Sequence, residues 1–390
     1  MAFGDGLQCR RPKASASPGR KTAQSATVER RLPKLACQGV CPSHETQSKY
    51  REGCSGGSDV RAIVVGGLGF VGSHLVRELT DHGHTVVVID CGPFGPGVED
   101  GHPQGSIAAS LAFRRHELLP RARIVRLDVA DRPRLAEALD AADPDCVYYL
   151  AAAPLVSQVE ANPPEAGRSM MLGLTHVLEI VRARSRPTRV VYVSSSMVYG
   201  HFAANPVSED APTKPVNLYG ALKLAGEVMT HSYLARTLHE SVVVRPSGVY
   251  GPTDIHGRVV QKACEATLTG EPFIASNPAE TFIDFTWVGD LVSGLVAAGE
   301  TRGLGGDTFN LTFGGARSLE DLIGVVLREA GNLNVVRSNS GAGDRPRRGT
   351  LDVSRAHRLL GYRPRVDLES GVRRYLDFLV SHAVAPVAAQ

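Results

Sequence analysis

From Val60 onward, short β-branched runs alternate with stretches whose apolar residues recur every three or four positions. Arg61-Ala-Ile-Val-Val65 shows no polar alternation, the pattern of a strand buried on both faces. The next stretch, 70–82, places Val71, Leu75, Val76 and Leu79 on one helical face, and Thr85-Val-Val-Val-Ile89 is a second buried strand. The same pattern predicts strands at 123–127, 146–150, 189–194 and 241–245. Helices fall between them: 132–139, one ending near Arg184, and one beginning near Leu218. Repetition of β-α-β units predicts an α/β fold with a doubly wound parallel sheet, the Rossmann arrangement, over 59–250. After Gly251 the pattern loosens. Helices near 257–269, 288–299, 318–330 and 369–381 alternate with short strands near 281–285 and 307–311. Residues 251–390 therefore read as a smaller C-terminal substrate-binding region, partly interleaved with the main sheet.

Residues 1–58 lack this periodicity and are rich in Ser, Lys, Arg, Gly and Pro, so a disordered basic tail is expected there. The tail holds ten Lys+Arg against four Asp+Glu, and the remaining 332 residues hold 33 against 36. The overall net charge of +3 thus describes neither part. A slightly acidic body gives no reason to expect nucleic acid as a partner. The tail reads either as a targeting peptide or as an upstream extension without function. No run of eighteen apolar residues occurs, so no membrane span is expected. Cys9, Cys37, Cys41 and Cys54 lie in the tail, while Cys91, Cys146 and Cys264 are scattered over the body. Cys37 and Cys41 lack a second pair at zinc spacing, so no metal is expected. Scattered thiols fit a reducing cytoplasm. The link from Cys91 to Ala122 is long and rich in Gly and Pro at its start. Such a segment is either a functional loop or a solvated insertion.

Candidate chemistry gathers at the predicted strand ends. Gly66-Gly-Leu-Gly69-Phe-Val-Gly72 joins the first strand to the first helix. Gly66 permits a sharp turn, Gly69 lets backbone approach a pyrophosphate, and Gly72 lets the helix pack close to the sheet. The helix N-terminus then offers free amides and a partial positive charge to phosphates. Asp90 closes the second strand, where an acid accepts hydrogen bonds from ribose hydroxyls and repels a 2′-phosphate, favouring NAD over NADP. Asp128, at the end of the third strand, is placed either to meet the adenine or to cap the next helix. Tyr219 and Lys223 sit four apart at the start of a predicted helix, so phenol and ammonium share a face. A nearby cation favours the phenolate, which makes Tyr219 a candidate general base. Upstream, Ser194-Ser-Ser-Met-Val-Tyr-Gly200 closes the fifth strand.

These motifs, in this order, resemble the NAD-dependent epimerase/dehydratase branch of the extended short-chain dehydrogenase/reductase superfamily. The resemblance covers about 60–382. It extends through Tyr149-Leu-Ala-Ala152, Asn162-Pro163, Arg245-Pro-Ser-Gly-Val-Tyr-Gly-Pro252, Asp284-Phe-Thr-Trp-Val-Gly-Asp290 and Leu360-Gly-Tyr-Arg-Pro364. It implies that Ser195 holds the substrate oxygen, Tyr219 takes its proton, and Lys223 binds the nicotinamide ribose and steadies the phenolate. It implies a cofactor-contacting set of Gly66, Gly69, Phe70, Val71, Gly72, Asp90, Asp128, Val129, Ala151, Tyr219 and Lys223. It places Ser195, Ser196, Gly248 and Arg345 at the substrate, with Arg347 or Arg348 able to compensate for the usual arginine that Ile283 replaces. It further implies a homodimer built on the helices containing Tyr219 and Met170–Val181.

The family's 4,6-dehydratases carry an Asp-Glu pair where Ser196 and Met197 stand, and neither residue here exchanges protons near neutrality. Epimerisation of a nucleotide-sugar, through oxidation at C4 and return of the hydride to the other face, is therefore the expected reaction. A dehydrogenase or ketoreductase acting on a non-nucleotide substrate and a non-catalytic NAD sensor are the alternatives. The chain departs from the family pattern at Gly248, where asparagine is usual, at Ile283, where arginine is usual, and at Met170, where asparagine is usual.

Overall fold

The computed structural model describes residues 59–92, 105–338 and 346–383; the basic tail and its cysteines lie outside the described residues. Seven strands form one sheet: β1 (Arg61–Val65), β2 (Thr85–Asp90), β3 (Arg123–Arg126), β4 (Cys146–Tyr149), β5 (Arg189–Val193), β6 (Glu240–Pro246) and β7 (Asp307–Leu311). Their order is β3-β2-β1-β4-β5-β6-β7, and every neighbouring pair is parallel. In register, Val64 lies between Val88 and Tyr148. The order reverses between β1 and β4, the switch point outside whose strand ends ligands bind in such sheets.

Alternate residues of each central strand face opposite layers, which is why the strands are apolar throughout. Ala62 and Val64 join Leu75, Val76 and Leu79 of the helix Phe70–Asp81 and Leu291, Val292 and Leu295 of the helix Val288–Glu300. Ile63 and Val65 join Leu135 and Leu139 of the helix Arg132–Ala142 and Val177, Leu178 and Val181 of the helix Gly173–Ala183. A further core, around Leu322, Val326, Val372 and Leu379, packs the helices Val259–Thr269, Leu319–Ala330 and Leu368–Ala383 together.

The described residues from Asp59 onward belong to one compact unit. β7 comes from the C-terminal part yet pairs along its length with β6. The single strand expected near 281–285 is instead two short pieces, Phe282–Ile283 and Thr286–Trp287, and the second pairs with Val249–Tyr250. The described part of the long link is ordered and packed. Its helix Gly105–Phe113 and the π-helical turn Arg114–Leu118 bury Leu111 and Leu118, the following Leu119 is buried too, and Phe113 meets Phe378 edge-on at 5.1 Å. Among the described residues, no helix is long and apolar enough to cross a membrane.

Candidate active site

The glycine turn forms because β1 must reverse directly into a helix lying on the sheet. Gly66 takes φ +85°, and a Cβ there would come within 2.8 Å of the Ala151 amide nitrogen, so the turn nestles against the end of β4. At Gly72 a Cβ would stand 2.3 Å from the Gly66 carbonyl oxygen, so the helix can approach this closely only as glycine. Gly69 is the N-cap in extended conformation, with no side chain capping the helix. The first-turn amides at Phe70 and Val71 are thus left for an external acceptor. This open, closely packed cradle fits a dinucleotide pyrophosphate.

Asp90 stands beside it. Its Oδ2 accepts from the Leu68 amide at 3.0 Å and its Oδ1 from the Gly92 amide at 3.2 Å. Burial raises its pKa, and those amides pull it back. Asp128 does not cap the next helix; Asp131 does, accepting from Arg134 N at 3.3 Å. Asp128 accepts from the Ala130 amide at 2.8 Å and pairs with Arg168 at 2.6 Å. Val129 is buried, and its carbonyl lies 3.0 Å from His176 Nδ1.

The second half of the site is built on β5 and the helix Leu218–Leu234. Asn217 caps that helix by accepting from the Gly220 amide at 2.8 Å, which sets Tyr219 in its first turn. Ser195 follows β5 as N-cap of a short 3-10 turn, its Oγ accepting from Met197 N at 3.2 Å. Lys223 is buried, and its ammonium donates to the Val193 carbonyl at 2.8 Å. Burial lowers the Lys223 pKa to about 8, against the pull of Glu227 one turn on. The Lys223 nitrogen lies 5.9 Å from the centre of the Tyr219 ring and 5.4 Å from that of Tyr192.

Burial pushes the Tyr219 phenol above its ordinary value, while Arg258 and the adjacent Ser195 hydroxyl pull it down. Arg258 is therefore a cation favouring the phenolate that the i, i+4 spacing of Tyr219 and Lys223 did not reveal. Arg258 pairs with Asp254 at 2.7 Å, donates to the Pro154 carbonyl at 3.2 Å and lies 5.7 Å over the Phe70 ring. Nothing in the local pattern of the sequence marks it, because its importance arises from a loop returning across the sheet.

Ser196 is buried within the 3-10 turn beside Ser195. Gly248 takes φ +53°, and a Cβ there would come within 2.5 Å of both the Asp284 carbonyl and an Ile283 methyl. The two departures from the family pattern are thus one feature: Ile283 occupies the space beside a position that cannot carry a side chain. Met170 is buried in the π-helical turn Arg168–Leu172, in a small cluster against which Tyr219 packs. Arg345 lies outside the described residues. Its neighbour Arg347 donates its amide to His201 Nδ1 at 3.1 Å, which brings this segment alongside the one following Ser195.

Beneath the site lies a buried polar chain that the sequence reading did not include. Ser194 Oγ donates to Glu227, and Arg245 binds Glu227 through two nitrogens, at 2.9 and 2.6 Å. Arg245 also donates to the Tyr199 hydroxyl at 2.9 Å, which donates to Asn310 of β7 at 2.8 Å.

The model of the NAD dependent epimerase/dehydratase family matches residues 62–312. A UDP-glucose 4-epimerase of Mycolicibacterium smegmatis is 31% identical over 325 residues, spanning 82% of this chain and 98% of that protein. UDP-glucuronate 4-epimerase 1 of Arabidopsis thaliana is 30% identical over 349 residues, 84% of this chain and 78% of that protein. Among solved structures, a UDP-glucuronic acid 4-epimerase from Bacillus cereus in complex with UDP-glucuronic acid and NAD superposes with a TM-score of 0.71 at 27% identity. That superposition covers 82% of this chain and 99% of the other.

Proposed function

The chain belongs to the NAD dependent epimerase/dehydratase family, and from that premise we propose that it interconverts UDP-hexoses epimeric at C4. The observation that carries this reading is the convergence of Ser195, Tyr219 and Lys223 at the strand ends beside the open glycine cradle. Gly66, Gly69 and Gly72 with the amides at Phe70 and Val71 would hold the pyrophosphate of NAD, Asp90 its ribose, and Asp128, Val129 and Ala151 would line the rest. When bound, NAD supplies the acceptor, and later the donor, of the sugar's C4 hydride. Ser195 Oγ orients the C4 oxygen. Tyr219 Oη takes the proton from that oxygen and gives it back after the sugar has turned its other face. Lys223 holds the nicotinamide ribose and supports the phenolate, with Arg258 adding a second positive charge.

The substrate side has no acid or base where a dehydratase needs one, since Ser196 and Met197 follow Ser195. Gly248 and Ile283 give an apolar wall, and the basic segment 345–348 supplies charge for the diphosphate. We further assign the protein to the cytoplasm, on its scattered thiols, and to a homodimer formed on the helices around Met170–Val181 and Tyr219, as the family resemblance implies.

The experiment is to offer UDP-glucose and UDP-glucuronate to the purified protein without added NAD. Appearance of the C4 epimer by NMR, with no net absorbance at 340 nm, is the expected outcome. Stoichiometric formation or consumption of NADH would instead identify a dehydrogenase or reductase. Bound NAD without turnover of any UDP-sugar would leave a sensor.

A further inference from the structure

The turn that ends the β2–β3 link carries a cation into the interior. Arg114 is 0% exposed. A guanidinium removed from water must find acceptors or destabilise the fold. Arg114 finds them on two separate loops. Its Nη1 donates to the Leu68 carbonyl at 3.1 Å, and its Nη2 to the Thr253 carbonyl at 2.5 Å.

Leu68 lies inside the glycine turn. Its amide is already taken by Asp90, so both of its backbone polar groups are held. The Leu68 carbonyl belongs to the peptide just before Gly69, the N-cap of the first helix. An oxygen swung toward the cradle would oppose any anion gathered by the helix amides. Binding that oxygen from below keeps the turn in the form that offers N–H groups alone.

Thr253 stands at the start of the C-terminal region and takes φ +70°. A β-branched residue rarely occupies this conformation, and it persists only where its surroundings over-determine it. Here they do. The Thr253 hydroxyl lies 3.3 Å from His74 Nε2, and the same nitrogen lies 2.9 Å from the Pro252 carbonyl. The next residue, Asp254, holds Arg258, which bears on Tyr219. The loop from Pro252 to Arg258 is thereby pinned to the glycine turn and its helix at one end and approaches the proton-transfer centre at the other.

We propose that Arg114 is a positioning residue of this site: by holding Leu68 and Thr253 together, it keeps the glycine turn in its phosphate-binding form and registers it against the loop that carries Arg258. The proposal rests on Gly66–Gly72 being the NAD cradle. Arg114 acts from beneath, through Leu68 and Thr253, so its loss weakens binding of both ligands more than it slows the chemical step.

The test uses the full chain with Arg114→Met and Arg114→Lys. Bound NAD is released and counted, NAD affinity is measured on the stripped protein, and kcat and KM for the UDP-sugar are separated at saturating NAD. Arg114→Met is expected to weaken NAD binding about tenfold or more, the effect of losing a charged hydrogen bond. KM for the sugar should rise with it, while kcat at saturation stays near wild type. Arg114→Lys, which keeps the charge but not the fork, should fall between the two. Wild-type NAD affinity and KM in Arg114→Met, even with a lowered melting temperature, would show a merely structural role and overturn the proposal. If Arg114→Met does not fold, a wild-type NAD affinity in Arg114→Lys overturns it equally. The unmodified chain is the control: failure of that chain to bind NAD would overturn the reading of the cradle itself.

Discussion

Tyr219, the proposed base, has surroundings that oppose its ionisation, since burial raises its pKa and Arg258 and Ser195 offset that in part. Replacing Tyr219 by Phe should lower kcat by about 10²- to 10⁴-fold, the range for a lost acid–base group, with the circular dichroism spectrum and melting temperature unchanged. Removing the cation should raise the phenol's pKa further. Arg258→Met is therefore expected to move the acid limb of the kcat/KM profile to higher pH, and an unmoved limb would show that Arg258 does not tune the base. His74 makes a stability prediction. Burial lowers its pKa from 6.5 to about 4, so the folded state resists its protonation. Its contribution is complete above pH 6.5 and is lost as pH falls toward 4. His256 is lowered in the same direction, also to about 4. Melting temperature should thus decline across that window, and His74→Gln should flatten part of the decline. At this scale the glycines and the Tyr219/Lys223 pair were readable because each role needs a particular residue type at a particular spacing. Arg114, His74 and Arg258 were not, because a buried cation bonded to distant carbonyls leaves no periodic trace.

Between elements, the helix Leu218–Leu234 is fixed to the sheet by an ion pair. The side chains of Glu227 and Arg245 are 5% and 7% exposed, and the pair joins that helix to β6 while also receiving Ser194. Removing one partner strands the other charge in the interior. Glu227→Ala should cost about 3–5 kcal/mol in denaturant unfolding. A loss under about 1 kcal/mol would mean that water reaches Arg245 more freely than its burial indicates. The alternation of buried strands with amphipathic stretches was enough to place the six strands from β1 to β6, because the inner ones must be apolar on both faces. Beyond Gly251 it also placed β7 and four helices, but not every strand. There the strands of two residues, Phe282–Ile283 and Thr286–Trp287, are too short to show a period. The ordered end of the β2–β3 link was also ambiguous, since Phe113 and Leu118 look alike whether a segment packs or merely crosses solvent.

For the whole molecule, every described residue assigned to the site lies between Gly66 and Arg348. A chain beginning at Asp59 is accordingly expected to fold, carry NAD and turn over at the rate of the full chain; loss of soluble, active protein would assign the first 58 residues a part in folding or function. The reaction class was legible from motif order and from Ser196 and Met197 at the positions a dehydratase needs. The sugar was not, because Gly248 and Ile283 carry no polar side-chain group that would select among hexoses. The central claim is that one hydride leaves C4 and returns to the same carbon within a single active site. It is tested most directly with a UDP-hexose carrying deuterium at C4, incubated with the enzyme in ordinary water, the epimer being analysed by NMR and mass spectrometry. The epimer is expected to retain its deuterium at C4. An epimer that has exchanged it for solvent hydrogen would rule out this hydride return and require a different route to inversion.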